Sequence, residues 1–132
     1  MSLIDHQDGL LVYDYARFAR AKDFAFRMWC ELAKERSLLP PEDLSGACKY
    51  GSQFVRQVFG GVIEGHFEHQ YNRIDGRLID LGHDARDVGR MRQPYQHEAT
   101  YFDIPEQQAR LQACMPRVMR WTEAFMRELG QG

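Results

Sequence analysis

Three features of this 132-residue sequence predict an α+β fold. Stretches toward both ends repeat apolar residues at three- and four-residue steps. The middle alternates apolar with polar residues. That alternation runs into Asp75-Gly76, a strong hairpin signal because both turn positions need positive φ. The order implies a helix packed on a small antiparallel sheet, with further helices on its N- and C-terminal sides. The length suits a single domain, residues 1–132.

The spacing of Phe18, Ala21, Ala25, Met28 and Leu32 predicts a first helix from about Tyr15 to Arg36, with Trp29 widening its apolar face. Pro40-Pro41 cannot continue a hydrogen-bond ladder, so the helix ends before them. A second helix is expected from about Ala47 to Phe59. Ser45 is its N-cap, Cys48, Gly51, Val55, Val58 and Phe59 form its buried stripe, and Gly60-Gly61 stops it.

Residues 62–72 read as one strand. Ile63, Gly65, Phe67, His69 and Tyr71 fall on the face turned to a helix, and Val62, Glu64, His66, Glu68, Gln70 and Asn72 on the outer face. With Asp75-Gly76 as the loop, Tyr71 stands opposite Asp80, and His69 is the diagonal neighbour of Asp80 on the same face. Diagonal neighbours lie about 7–8 Å apart at Cα, within reach of their side chains. Residues 83–102 follow no clear pattern beyond one further strand near Tyr95–Phe102. Asp103 then caps a C-terminal helix with Glu106 three positions on. Leu111, Cys114, Val118, Trp121, Phe125 and Leu129 form its apolar face, and Pro116 kinks or splits it.

Composition narrows the functions. Seventeen Lys+Arg against nineteen Asp+Glu leave a net charge of −2 without a basic stripe, which argues against nucleic acid as a partner. Three widely spaced cysteines are a poor disulfide framework, and no secretory signal precedes Leu10. The expected compartment is therefore the cytoplasm, with signal-independent export left open. No apolar run approaches the ~20 residues that span a bilayer, so no membrane partner is expected. CxxC and HExxH spacings are missing, and His66 and His69 fall on opposite strand faces, which argues against a metal. Gly60-Gly61 follows a helix rather than a strand, so it is no phosphate loop, and no cofactor is expected.

Chemistry concentrates in residues 45–82. Cys48 sits in the first turn of a helix, where the dipole and free N–H groups favour a thiolate, among the small residues Ser45, Gly46, Ala47, Gly51 and Ser52. Its own N–H and a neighbouring one are candidates for an oxyanion hole. His69 supplies a base and Asp80 a carboxylate to orient it. The plainer alternatives are a cysteine that is merely a small core hydrophobe, a satisfied strand histidine and a turn carboxylate. Cys30 and Cys114 lie mid-helix on apolar stripes and read as core.

Gly46-Ala47-Cys48 leading a helix, Phe59-Gly60-Gly61 ending it, and the run His69-Gln70-Tyr71-Asn72-Arg73-Ile74-Asp75-Gly76-Arg77-Leu78-Ile79-Asp80-Leu81 resemble the transglutaminase-like, papain-like cysteine proteins. Within them the pattern is most similar to the small bacterial YunG-like proteins. The resemblance implies a papain/transglutaminase-like core with Cys48 as nucleophile, His69 as its base and Asp80 as the residue that orients His69. It implies a peptide, amide or ester substrate, possibly carried on a protein, with Ala47 and Tyr71 as substrate-binding or oxyanion positions. The glutamine often found before the nucleophile is here Ala47. The expected activity is cysteine-dependent acyl transfer: amide hydrolysis, deamidation or transamidation. The alternative is a non-catalytic binding or effector-type module on the same scaffold. Its docking surface would be the surplus apolar residues Phe24, Phe26, Trp29, Trp121, Phe125 and Met126. A homodimer is compatible with either reading.

Overall fold

In the computed structural model, residues 3–131 are described. The chain runs β1 (Gln7–Asp8), α1 (Tyr15–Glu35), α2 (Cys48–Phe59), β2 (Gly60–Gly65), β3 (Gln70–Ile74), β4 (Arg77–Ile79), α3 (Arg86–Arg90), a 3-10 turn (Ala99–Asp103) and α4 (Pro105–Gly130). The four strands form one antiparallel sheet in sequence order. Helices and an antiparallel sheet kept in separate stretches of chain make this an α+β arrangement.

Helix α1 starts where Asp14 accepts a hydrogen bond from the Arg17 amide through its side chain. Its buried face is Ala21, Phe24, Ala25 and Leu32. Helix α2 lies at the centre and is buried almost all round, from Gly51 through Val55, Val58 and Phe59. Its Phe54 ring meets Phe24 at 5.7 Å, Phe125 at 5.5 Å and Trp121 at 6.1 Å, so one side chain joins α1, α2 and α4. Helix α4 continues through Pro116 without being split, and buries Leu111, Cys114, Val118, Trp121 and Phe125 as its spacing predicts. Two caps differ from expectation. Ser45 does not cap α2; its hydroxyl accepts the Asp87 amide instead, and Ala47 holds the cap position with no side-chain bond. Helix α4 begins after Ile104, also without a side-chain cap, rather than at Asp103.

The main correction concerns residues 62–72, which form a hairpin and not one strand. Gly65 at φ +142° ends β2. His66 and His69 then exchange backbone hydrogen bonds (2.9 and 3.2 Å) around Phe67-Glu68. The pairing of Ile63 with Asn72 and of Glu64 with Tyr71 reverses the expected faces beyond the turn. Even-numbered residues of β3 now share the helix-facing side with odd-numbered residues of β2. Asn72 therefore points to α2, where its side-chain amide donates to Ser52 O at 2.8 Å, and Asn72 and Gln70 are buried rather than outward. Phe67, at the loop tip, is 69% exposed instead of packed on a helix. An alternating pattern cannot show a two-residue turn that carries no Pro, Asn or Gly at its tip.

The second hairpin follows its turn signal. Asp75 and Gly76 both have positive φ (50° and 79°), and Asn72–Ile79, Arg73–Leu78 and Ile74–Arg77 are paired. No strand forms near Tyr95–Phe102. The segment 91–98 crosses the outer side of the sheet as a strap, and the 3-10 turn follows it. The strap is tied down by Tyr71 Oη donating to Tyr95 O (2.9 Å), Gly65 N–H donating to His97 Nδ1 (3.1 Å) and Glu98 N–H donating to Gly65 O (2.8 Å). Among the described residues, no helix is long and apolar enough to cross a membrane.

Candidate active site

Cys48 is the first residue of α2 and is partly buried. The loop before it is fixed by reciprocal bonds to the start of α3. Gly46 N–H donates to Asp87 Oδ2 (2.8 Å), Asp87 N–H to Ser45 Oγ (3.1 Å), and the Ser45 and Arg86 amides both donate to Asp43. A short helix therefore sets the approach of the thiol.

His69 closes the β2–β3 turn and Asp80 follows β4, so the Asp75-Gly76 register brings the two together. His69 Nε2 lies 2.8 Å from Asp80 Oδ2, with both side chains almost fully buried. Asp80 accepts two further bonds: Gly82 N–H donates to Oδ1 at 3.0 Å, and Tyr95 Oη donates to Oδ2 at 2.8 Å. With Nε2 taken by Asp80, Nδ1 is the ring nitrogen left for Cys48. Burial pulls the His69 pKa down. Hydrogen bonds and charge attraction from Asp80 and from Cys48 outweigh that pull and push it up to about 9. The imidazolium is thus stabilised from two sides at once. Cys48, His69 and Asp80 line one pocket, together with Ala47, Gly51, Ser52, Gln70, Asn72, Leu81 and Asp87 among others.

The other sequence-nominated positions fare differently. The Ala47 amide already donates to Leu44 O at 3.0 Å, so Ala47 lines the pocket but cannot offer that N–H to an oxyanion. Cys48 N–H, at the open start of the helix, keeps that capacity. Tyr71 is outside the pocket; it braces the strap through Tyr95 O and stacks near His69 with centroids 6.3 Å apart. Cys114 is buried in the core, and burial pushes its thiol pKa up. Cys30 is partly buried on α1.

Sequence reasoning missed Tyr95, which sits in the patternless segment and touches Asp80 only through the tertiary fold. Its hydroxyl proton is held well above the ordinary tyrosine pKa by burial and by the Asp80 carboxylate. Gln70 and Asn72 were missed because the unseen turn reversed their face. Among the described residues, no group of three His, Cys, Asp or Glu side chains is arranged to hold a metal. A larger groove of about 580 Å³ lies between residues 6–13 and the strands β2 and β3, but it contains no cysteine, so size does not select the site.

Compared with family models, with curated proteins and with solved structures, the chain matches none. The functional reading therefore rests on the geometry of the chain itself.

Proposed function

We propose that the protein is a cysteine-dependent acyl-transfer enzyme, acting on a peptide, amide or ester through a papain/transglutaminase-like Cys48-His69-Asp80 triad. The observation that carries this reading is the buried imidazole bonded to Asp80 at 2.8 Å and pushed up to about 9 by Asp80 and Cys48 together. A histidine that serves only as core has no use for a thiol partner at a helix start.

In the reaction, Cys48 Sγ attacks the acyl carbon and a tetrahedral oxyanion forms near Cys48 N–H. The His69 imidazolium gives its proton to the leaving nitrogen or oxygen as the bond to carbon breaks, which leaves a thioester on Cys48. Neutral His69 then takes a proton from the incoming water or amine, and that nucleophile displaces Cys48 as thiolate. Asp80 holds the ring so that Nδ1 faces the sulfur throughout. Hydrolysis, deamidation and transamidation share the first half and differ in the second nucleophile.

An activated ester tests this without knowledge of the natural substrate. With p-nitrophenyl acetate, a burst of p-nitrophenolate is expected together with an acetyl group on Cys48, found by peptide mass spectrometry. Cys48→Ala should abolish the burst, and His69→Ala should slow it by about a hundredfold or more. Acetylation no greater at Cys48 than at Cys30 would remove the reading.

A further inference from the structure

Two imidazoles clamp the turn that ends in His69, and both do so only while neutral. His66 Nε2 lies 3.1 Å from Gln93 O in the strap, and the Glu68 N–H donates to His66 Nδ1 at 3.3 Å. A carbonyl oxygen only accepts and an amide N–H only donates, so Nε2 carries the proton and Nδ1 the lone pair. His97 repeats the arrangement from the strap, where its Nδ1 accepts the Gly65 N–H at 3.1 Å. One ring thus reaches from the turn to the strap, and the other from the strap to the start of the turn. Between them run the backbone bonds that His66 and His69 exchange, which set where the His69 ring leaves the chain.

A proton added at Nδ1 turns each acceptor into a donor. The Gly65 and Glu68 amides then each face an N–H, and both bonds are lost. His66 is 4% exposed, so its charge stands unsolvated unless the turn moves outward. His97 is exposed and open to protons from solvent. The charged residues of the elements around the two rings are Glu64 in β2, Glu68 in the turn, Arg92 and Glu98 in the strap and Asp103 in the 3-10 turn. Glu64 is paired with Arg73 at 3.1 Å. Among the described residues, the histidines with a carboxylate partner are His6 and His69, so neither clamping ring has an ion pair to hold its charge in place.

We propose that His66 and His97 are positioning residues that make the reacting pair pH-dependent: neutral, they hold His69 against Cys48, and charged in acid they release the turn and disengage it. This rests on Cys48 and His69 being the reacting pair and adds a regulation to it. The clamp is present where both rings are neutral and is lost as pH falls. His69 does not itself supply this response. Its pKa, pulled down by burial but raised further by Asp80 and Cys48 to about 9, keeps it charged throughout. The other ties of the strap, Tyr71 Oη to Tyr95 O and Glu98 N–H to Gly65 O, involve no histidine ring and keep it attached. The change is therefore local and not an unfolding.

NMR and thiol labelling test this on one protein from about pH 7.5 to about pH 4.5, a range that spans ordinary histidine titration. As pH falls, the Gly65 and Glu68 amide signals are expected to move together with the ring signals of His97 and His66. Over the same steps, iodoacetamide labelling of Cys48 relative to Cys30 is expected to fall by at least about fivefold, the worth of one lost hydrogen bond. His97→Asn keeps an acceptor near the Nδ1 position and takes no charge in this range. Its Gly65 amide should stay still, and its labelling should lose less on acidification; adding His66→Asn should flatten both profiles. Because His97 is exposed, the single variant keeps the test open if the double variant fails to fold. Rings that titrate while both amides stay still would overturn the proposal, as would an acid loss of labelling in His97→Asn equal to that of the native protein. The amide signals report the clamp without any reaction at Cys48. Slow labelling already at the neutral end, with amides that titrate, removes the reacting pair and leaves the clamp. Fast labelling relative to Cys30 at every pH, with still amides, removes the clamp and leaves the pair.

Discussion

At the scale of single residues, His69 takes its character from two acceptors, and its protonation ties stability to pH. Its folded pKa of about 9 lies above the ordinary 6.5. The stabilisation is therefore complete below about pH 6.5 and is lost as pH rises through about 9. Urea denaturation should show a native protein about 3 kcal/mol less stable at alkaline pH than near neutrality. Asp80→Asn should flatten that dependence, and a stability constant across the same range in the native protein would refute the charged pair. Tyr95 offers a finer test, because its hydroxyl is one of three donors to Asp80. Tyr95→Phe should cost about 1 kcal/mol by thermal or chemical denaturation and lower the His69 titration midpoint little, since the His69–Asp80 bond remains. A midpoint that collapsed to the free-histidine value would mean that Tyr95, not Asp80, organises the ring. Cys48→Ala removes one of the two raising partners, so NMR titration of His69 should report a midpoint below that of the native protein.

Among elements, the two hairpins show what a sequence reveals and what it conceals. The β3–β4 turn is written in Asp75-Gly76, and its register alone puts His69 beside Asp80. The β2–β3 turn is written nowhere obvious, since His66-Phe67-Glu68-His69 contains no usual turn residue. One missed turn reversed the faces of Gln70 and Asn72, but left the His69–Asp80 pairing intact because that depends on the later hairpin. The sign of the hidden turn is Gly65. A side chain there would place Cβ 2.2 Å from His69 O, at a φ that side chains rarely adopt. Gly65→Ala should therefore destabilise the protein by about 2 kcal/mol or more and displace His69, lowering Cys48 reactivity as well. Wild-type stability and labelling in that variant would show the turn to be unimportant to the site. The strap over residues 91–98 stayed illegible for a different reason: it is held by contacts to distant residues rather than by a period of its own.

Over the whole molecule, helix α2 unites stability and chemistry. Its C-terminal half sits within the aromatic cluster of Phe24, Phe54, Trp121 and Phe125, while its first residue is the candidate nucleophile. Phe54→Ala should cost about 3–5 kcal/mol in chemical denaturation, as expected for a fully buried aromatic side chain. Half of the apolar residues that suggested a docking surface are buried in the core, and half are partly buried beside it. Phe24, Trp121 and Phe125 are core, and Phe26, Trp29 and Met126 pack against it. That outcome was foreseeable from helical spacing only in part, because burial of a second flank depends on which helices meet. The helices and the β3–β4 hairpin were readable from local periodicity; the strap, the first hairpin and the polar pocket wall needed the assembled chain. In the proposed reaction, everything depends on the activation of Cys48 by His69 and Asp80. It is tested most directly by the rate of Cys48 alkylation with iodoacetamide at about pH 6, with Cys30 as internal control; free thiols are largely protonated at that pH. Cys48 is expected to be labelled at least about tenfold faster than Cys30, and the advantage to vanish in His69→Ala. Labelling of Cys48 no faster than of Cys30 in the native protein would contradict it.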